Sequence, residues 1–168
     1  MFGFGKKKKG FSEQPVKAET MRLIKKCAAD VERLIGIDSR NADARTVVEA
    51  INTYASKWQK GERPTDLEDS QYTLGALWGE QLVATFGWEW TSVTFHEHGD
   101  SEAIGVVSPN RSLAVYPFHF LLGCLQDSGV PVTILLAFNM VAEGKIPQMP
   151  AHGYQNLMDG VHHIVPPA

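Results

Sequence analysis

The sequence has no apolar run long enough to cross a membrane. The longest such run, residues 130–142, contains Pro131 and Asn139, and it is shorter than the roughly 20 residues that a bilayer-spanning helix needs. The basic run Lys6 to Lys9 is followed by a polar stretch rather than by the apolar core of a secretory signal. We therefore expect a soluble protein that resides in the cytoplasm.

Cysteine is also scarce, with only Cys27 and Cys124 in 168 residues. Each lies in an apolar pattern of helical spacing, which favours two buried, reduced thiols, although the sequence leaves a disulfide between them open. Hydrophobic residues make up 43% of the chain, which is enough to form one core that needs no metal or disulfide to stabilise it.

Basic residues are rare in the second part of the chain. Residues 1–60 carry 13 Lys/Arg against 7 Asp/Glu, whereas residues 61–168 carry 3 against 12. An acidic region of this kind repels phosphate backbones and therefore disfavours nucleic acid, and it suits a basic protein partner. A solubility device, or attraction between the two parts of the chain, would explain the same division.

The sequence also lacks the familiar catalytic and cofactor motifs. It contains no Gly-x-Ser-x-Gly, Walker, Cys-x-x-Cys or His-Glu-x-x-His pattern. We therefore predict no catalytic residue and no cofactor, and we favour a protein that is not an enzyme.

What the chain does contain is a change of apolar period at Gly87. Before this residue apolar side chains recur every three or four positions, as in helices, and after it they alternate with polar ones, as in strands. This change predicts an α+β domain with N-terminal helices, a small three-stranded antiparallel meander and C-terminal helices. The predicted helices are 16–35, 43–60, 66–86, one that begins at Pro117 and one over 132–141, and the predicted strands are 88–97, 102–108 and 112–116.

Two segments flank the predicted core of this fold. Residues 1–15 contain glycines and a lysine run, which predict a flexible basic arm, and residues 16–168 are expected to form a single domain. Because phenylalanines interleave with the lysines in residues 2–11, the arm could also contact an anionic membrane. The Pro-rich tail, residues 146–168, is too apolar to lie free in water, so we expect it to pack on the domain or on a partner.

Gly75 and Gly79 lie four residues apart on the predicted helix 66–86. Glycine lowers helix stability by about 1 kcal/mol relative to alanine, so a pair at this spacing suggests that another backbone approaches closely. The apolar positions of this helix and of the segments after it predict a core that contains Trp78, Leu82, Trp90, Leu121 and Leu125.

Histidines and glutamates supply the candidate ligands and acid–base groups. His96-Glu97-His98 places two imidazoles two residues apart on a predicted strand, and therefore on one side. The adjacent pair His162-His163 is a weaker candidate, and because the sequence indicates no third ligand for either pair, we predict no metal site. Near the junction of helix and sheet, Glu80 and Glu89 could act as acids or bases if apolar surroundings raise their pKa values; a structural role for each is the simpler interpretation.

Three motifs follow one another over about residues 66–127: Leu74-Gly75-x-x-Trp78-Gly79-Glu80-x-Leu82, Trp88-Glu89-Trp90 and Tyr116-Pro117-Phe118. Their order resembles a bacterial family of domains of unknown function. The resemblance implies a small α+β domain in which a glycine-bearing helix leads into an antiparallel sheet, and it implies no activity and no catalytic residue.

We therefore expect a non-enzymatic cytoplasmic interaction protein of bacterial type. Glu89, Glu97, Asp100 and Glu102 are expected to form an acidic patch that binds a basic partner protein, as an immunity protein binds a toxin. One alternative is an enzyme or small-molecule-binding domain that uses carboxylates beside the sheet. Another is a peripheral membrane adaptor anchored by residues 2–11.

Overall fold

The computed structural model describes residues 10–62 and 70–164, which form six helices, one short 3₁₀ turn and a single sheet. The α+β class is confirmed. In chain order the elements are β1 (Phe11–Pro15), α1 (Ala18–Leu34), α2 (Ala44–Gln59), α3 (Ser70–Phe86), β2 (Glu89–Phe95), the 3₁₀ turn (His96–His98), β3 (Ser101–Val107), β4 (Leu113–Val115), α4 (Pro117–Gln126), α5 (Ile134–Ala142), β5 (Gln155–Asn156) and α6 (Leu157–Ile164).

The sheet has five strands in the order β1-β2-β3-β4-β5 and is mixed, which corrects the predicted three-stranded meander. The antiparallel succession of β2, β3 and β4 matches the prediction. Two further strands extend it at its edges: β1 pairs antiparallel with β2, and β5 pairs parallel with β4. Residues 11–15 are therefore a strand and not part of a flexible arm, whereas residues 1–9 lie outside the described residues.

The helix boundaries follow local signals. The Asp43 side chain accepts a hydrogen bond from the Thr46 backbone N–H at 2.8 Å and caps α2, as side chains of this type do at helix N-termini. Pro117 is the first residue of α4, a position where its missing N–H is not needed. Gly87 has a φ of +66° and separates α3 from β2, so the change of period coincides with a change of backbone direction. Residues 66–69 of the third predicted helix lie outside the described residues.

One face of the sheet packs against the helices. α3 lies centrally, between α1 and α4, and its Trp78 and Leu82 are buried, as is Leu121 of α4. Trp90 and Leu125, predicted for the same core, are only partly buried. The tail belongs to this core as well, because Leu157, Met158 and Val161 are buried in it.

The two glycines of α3 make room for aromatic rings. A Cβ at Gly79 would lie 2.1 Å from Trp90 Cζ2, and a Cβ at Gly75 would lie 2.7 Å from Phe118 Cδ1 and 3.2 Å from its backbone N. The Trp90 and Phe118 rings stack on each other with centroids 5.6 Å apart. Both glycines are therefore in close contact with another element, but the predicted approach of another backbone is found only at Gly75, and at Gly79 the nearest atoms belong to the Trp90 side chain.

Of the helices that the structure describes, none combines the length and the apolar character that crossing a lipid bilayer requires.

Candidate functional site

The sheet is curved strongly enough to bring residues at its two edges into contact. Across a flat sheet, β1 and β5 would lie about 19 Å apart, four times the usual strand spacing. Nevertheless the ring of Tyr154, the residue before β5, lies 5.3 Å from the ring of Phe11 in β1. Its hydroxyl donates a hydrogen bond of 2.9 Å to Oε2 of Glu13. The face opposite the helices is therefore concave, and we call it the concave face.

An ionic network around Arg111 ties the concave face together. The Arg111 guanidinium donates from Nε and Nη2 to Glu13 Oε1 at 3.1 and 3.0 Å, and from Nη2 to Glu89 Oε2 at 2.6 Å. These hydrogen bonds raise the pKa of Arg111. Partial burial raises the pKa of Glu13, but the hydrogen bonds from Arg111 and Tyr154 outweigh that effect, so the pKa of Glu13 lies below its ordinary value. The network is thus ionised at neutral pH and links β1, β2 and the β3–β4 turn to the tail.

The backbone that presents this network is held in an uncommon conformation. Arg111 and Tyr154 have φ values of +57° and +46°, and His152 has +59°, each in the left-handed region that costs non-glycine residues free energy. Backbone hydrogen bonds join the two segments: Tyr154 N–H donates to the Arg111 carbonyl at 2.9 Å, and His152 N–H donates to the Asn110 carbonyl at 3.0 Å. The turn and the tail therefore support each other's geometry.

An aromatic groove of about 640 Å³ lies between the β2–β3 end of the sheet, α4 and the segment that leads through β5 into α6. Its wall is a row of four rings: Tyr154 lies 5.3 Å from Phe11, Phe11 lies 5.6 Å from Phe95, and Phe95 lies 5.5 Å from Tyr116. Four titratable side chains also line it: Glu102 of β3, Asp159 of α6, and the histidines His98 and His119. These eight residues define the aromatic groove hereafter.

Tyr116 is the most buried of the four rings, with 8% of its surface exposed. It lies against Gly105, where a Cβ would come within 2.8 Å of the ring. Burial raises the pKa of Tyr116 to about 12, so the phenol is neutral at physiological pH. Its buried hydroxyl has no hydrogen-bond partner among the described residues, which is uncommon for a buried polar atom.

The structure places three of the four residues of the predicted acidic patch around one turn. Glu97, Asp100 and Glu102 are exposed and lie around the turn between β2 and β3. Neither Glu97 nor Glu102 forms an ion pair within the described ranges. Glu89 does not belong with them, because it lies at the other end of β2 and Arg111 neutralises it. The sequence could not show this, since the two residues are 22 positions apart.

The histidines do not assemble a metal site in the part of the chain that the structure describes. His96 uses both ring nitrogens: Nδ1 lies 2.5 Å from Asp100 Oδ1, and Nε2 lies 2.9 Å from Ser12 Oγ. No group of three or more His, Cys, Asp or Glu in these residues could hold an ion. The side chains of His162 and His163 lie outside the described residues. Cys27 and Cys124 form no disulfide with each other.

The two candidate acid–base glutamates have structural partners. Glu80 Oε1 accepts a hydrogen bond of 2.9 Å from Trp90 Nε1, which anchors the ring that fills the space at Gly79. Glu89 binds Arg111 at 2.6 Å. Neither lines the aromatic groove, whose carboxylates are Glu102 and Asp159.

Sequence reasoning missed Arg111, Glu13 and Tyr154, which shape the concave face. Only one signal was present: Arg111 is one of just three basic residues after position 60. A lone arginine in a strongly acidic region is a natural partner for several carboxylates, but its location in a turn gave no indication of which ones.

Comparisons of the chain with protein-family models, with curated proteins and with solved structures found no match. The resemblance to a bacterial family of domains of unknown function therefore stays a prediction.

Proposed function

We propose that the protein is a non-enzymatic, cytoplasmic interaction protein that binds a basic partner protein through the end of its sheet. The observation that carries this proposal is the exposure of Glu97, Asp100 and Glu102 around a single turn. Asp100 has 70% of its side chain exposed, and among residues 10–62 and 70–164 only His96 pairs with it. A cluster of solvent-exposed charge of one sign accelerates encounter with a partner of the opposite sign.

The charge balance of the whole chain supports the same partner. Residues 61–168 have a surplus of nine acidic residues, and the structure shows that Arg111, one of the three basic residues there, is occupied by Glu13 and Glu89. Lys145, a second one, pairs with Glu143. The role that fits this chemistry is masking of a basic protein, as a bacterial immunity protein masks its toxin.

The experiment compares charge reversals at two places. Proteins captured on the wild-type chain from the source organism are tested singly for association, and their on-rates are measured at several salt concentrations by stopped flow. We expect Glu97→Lys with Glu102→Lys to slow association roughly tenfold at low salt, because steering depends on local charge and is screened by ions.

The matched control reverses Glu49 and Glu62, which are exposed residues in α2 and just after it. This double change alters the net charge by the same amount, so it should slow association much less. If the on-rate is indifferent to salt and to both double changes, the acidic patch does not steer a partner and the proposal fails.

A further inference from the structure

We propose that the aromatic groove is a binding site for one arginine side chain, and that it anchors the basic partner. The identity of the partner rests on the proposed function, whereas the chemistry of the groove stands on its own residues. Glu102 belongs both to the acidic patch and to the groove lining, so the patch leads directly into the groove.

The wall of the groove suits a guanidinium. Phe11 is 42% exposed, and its ring continues through Phe95 to Tyr116 with centroids 5.6 and 5.5 Å apart. A planar, weakly hydrated guanidinium stacks on aromatic faces and is attracted to them electrostatically. The apolar stem of the same side chain covers ring surface that would otherwise face water.

The charge of the lining selects a cation. Glu102 and Asp159 are carboxylates, His98 and His119 contribute imidazoles, and no lysine or arginine lines the groove in the described parts of the chain. Arg111 is held by Glu13 and Glu89 and is not part of the lining. Two carboxylates without a lysine or arginine beside them disfavour an anionic ligand, and a purely apolar ligand would desolvate both carboxylates without compensation.

The hydrogen-bonding groups of the lining also suit a guanidinium. A guanidinium has five N–H donors in one plane and no acceptor. The carboxylates of Glu102 and Asp159, which line the groove, are acceptors for those donors. The Tyr116 hydroxyl is too deeply buried to take part, so Tyr116 contributes its ring and not its oxygen.

The test uses the isolated side chain as probe. The full-length protein, labelled with ¹⁵N, is titrated with N-acetyl-arginine methylamide and, in parallel, with the citrulline compound, which has the same shape but no charge. We expect the arginine probe to shift the resonances of groove residues such as Phe95 and Tyr154, and to bind at least tenfold more tightly than the citrulline probe.

Variants then assign the contacts. Asp159→Asn should weaken arginine binding severalfold, and thermal melting verifies that this variant folds. Glu97→Gln is the control, because Glu97 lies in the acidic patch but does not line the groove, and it should leave binding of the probe unchanged. Equal binding of the two probes, or equal effects of Asp159→Asn and Glu97→Gln, would overturn the site.

The two proposals fail separately. If the arginine probe binds in the groove but a partner found by the charge-reversal experiment binds Asp159→Asn as tightly as wild type, the groove is not the anchor and this inference is wrong. If the probe binds and no partner responds to Glu97→Lys with Glu102→Lys, the proposed function is wrong while the arginine site stands.

Discussion

Gly79 shows how a single residue decides the packing between α3 and the sheet. Replacing it with alanine improves helix propensity by up to about 1 kcal/mol, but the new Cβ would meet Trp90 Cζ2 at 2.1 Å and Cη2 at 2.3 Å. The ring cannot retreat freely, because it stacks on Phe118 and donates to Glu80. We therefore predict that Gly79→Ala lowers the free energy of unfolding by about 1–3 kcal/mol, the usual cost of overpacking, measured by urea denaturation.

Gly123 in α4 is the matched control, because a Cβ there would meet nothing within 4 Å. Gly123→Ala should leave stability unchanged or raise it by up to about 1 kcal/mol, since only helix propensity changes. If both alanines have the same effect, the contact with Trp90 does not constrain α3.

For single residues, the sequence indicated where α3 is in close contact with another element, but not which atoms form the contact. The Gly75 and Gly79 spacing predicted a close approach, because glycine in a helix needs a compensating contact. The partner rings belong to Trp90 and Phe118, which lie in different elements. Likewise Glu89 looked like a free surface carboxylate, because its partner Arg111 is brought to it only by the β3–β4 turn.

Among the elements, β1 and β5 could not be predicted from sequence patterns. β1 follows directly on a run of lysines and glycines, and it is an edge strand with four of its five residues exposed, so it lacks the apolar alternation that identifies a buried strand. β5 has two residues, too few for any period. The longer helices and β2, in contrast, have strong periodicity and were predicted within a few residues.

The contribution of β1 can be measured by truncation. A chain that begins at Val16 loses the pairing with β2, the Gln14 carbonyl that accepts from Thr91 Oγ1 at 3.0 Å, and Glu13. Because several hydrogen bonds and the main partner of Arg111 disappear together, we expect the free energy of unfolding to fall by at least about 2 kcal/mol. The freed edge of β2 should also promote self-association, visible by light scattering.

A chain that begins at Gly10 is the control, because it keeps the whole of β1. It should unfold close to the full-length protein and should not self-associate more. If the chains that begin at Gly10 and at Val16 have equal stability, β1 does not contribute to the folded sheet in solution.

Considered as a whole, the molecule joins its first and last strands. Glu13 and Tyr154 are separated by 141 positions and are joined by a hydrogen bond. This bond connects the two edges of the sheet at the same carboxylate that Arg111 binds. A contact at this separation cannot be inferred from local patterns, since it depends on the order and curl of all five strands. The aromatic groove follows from the same contact between the edges, because Tyr154 completes its row of rings.

A double-mutant cycle measures how much the contact between Glu13 and Tyr154 stabilises the fold. We predict that Glu13→Gln and Tyr154→Phe are each destabilising, and that their effects couple by about 1 kcal/mol at pH 7, as hydrogen-bonded neighbours do. Urea denaturation of the wild type, both single variants and the double variant gives the coupling. Tyr72→Phe is the control partner for Glu13→Gln, because Tyr72 is exposed on α3 and its ring contacts Phe118 instead, and that pair should be additive.

The pH dependence of stability tests whether Glu13 stabilises the fold as an ionised carboxylate. Because the folded pKa of Glu13 is lower than its ordinary value of 4.5, the stabilisation by this carboxylate is complete above that value. It is lost as the pH falls through the folded pKa, where Glu13 takes up a proton. The stability difference between wild type and Glu13→Gln should therefore be constant from pH 7 to about 5.5 and shrink in more acidic solution. A coupling that is absent at pH 7, or that does not decline in acid, would show that the ionised carboxylate of Glu13 does not hold the two edges of the sheet together.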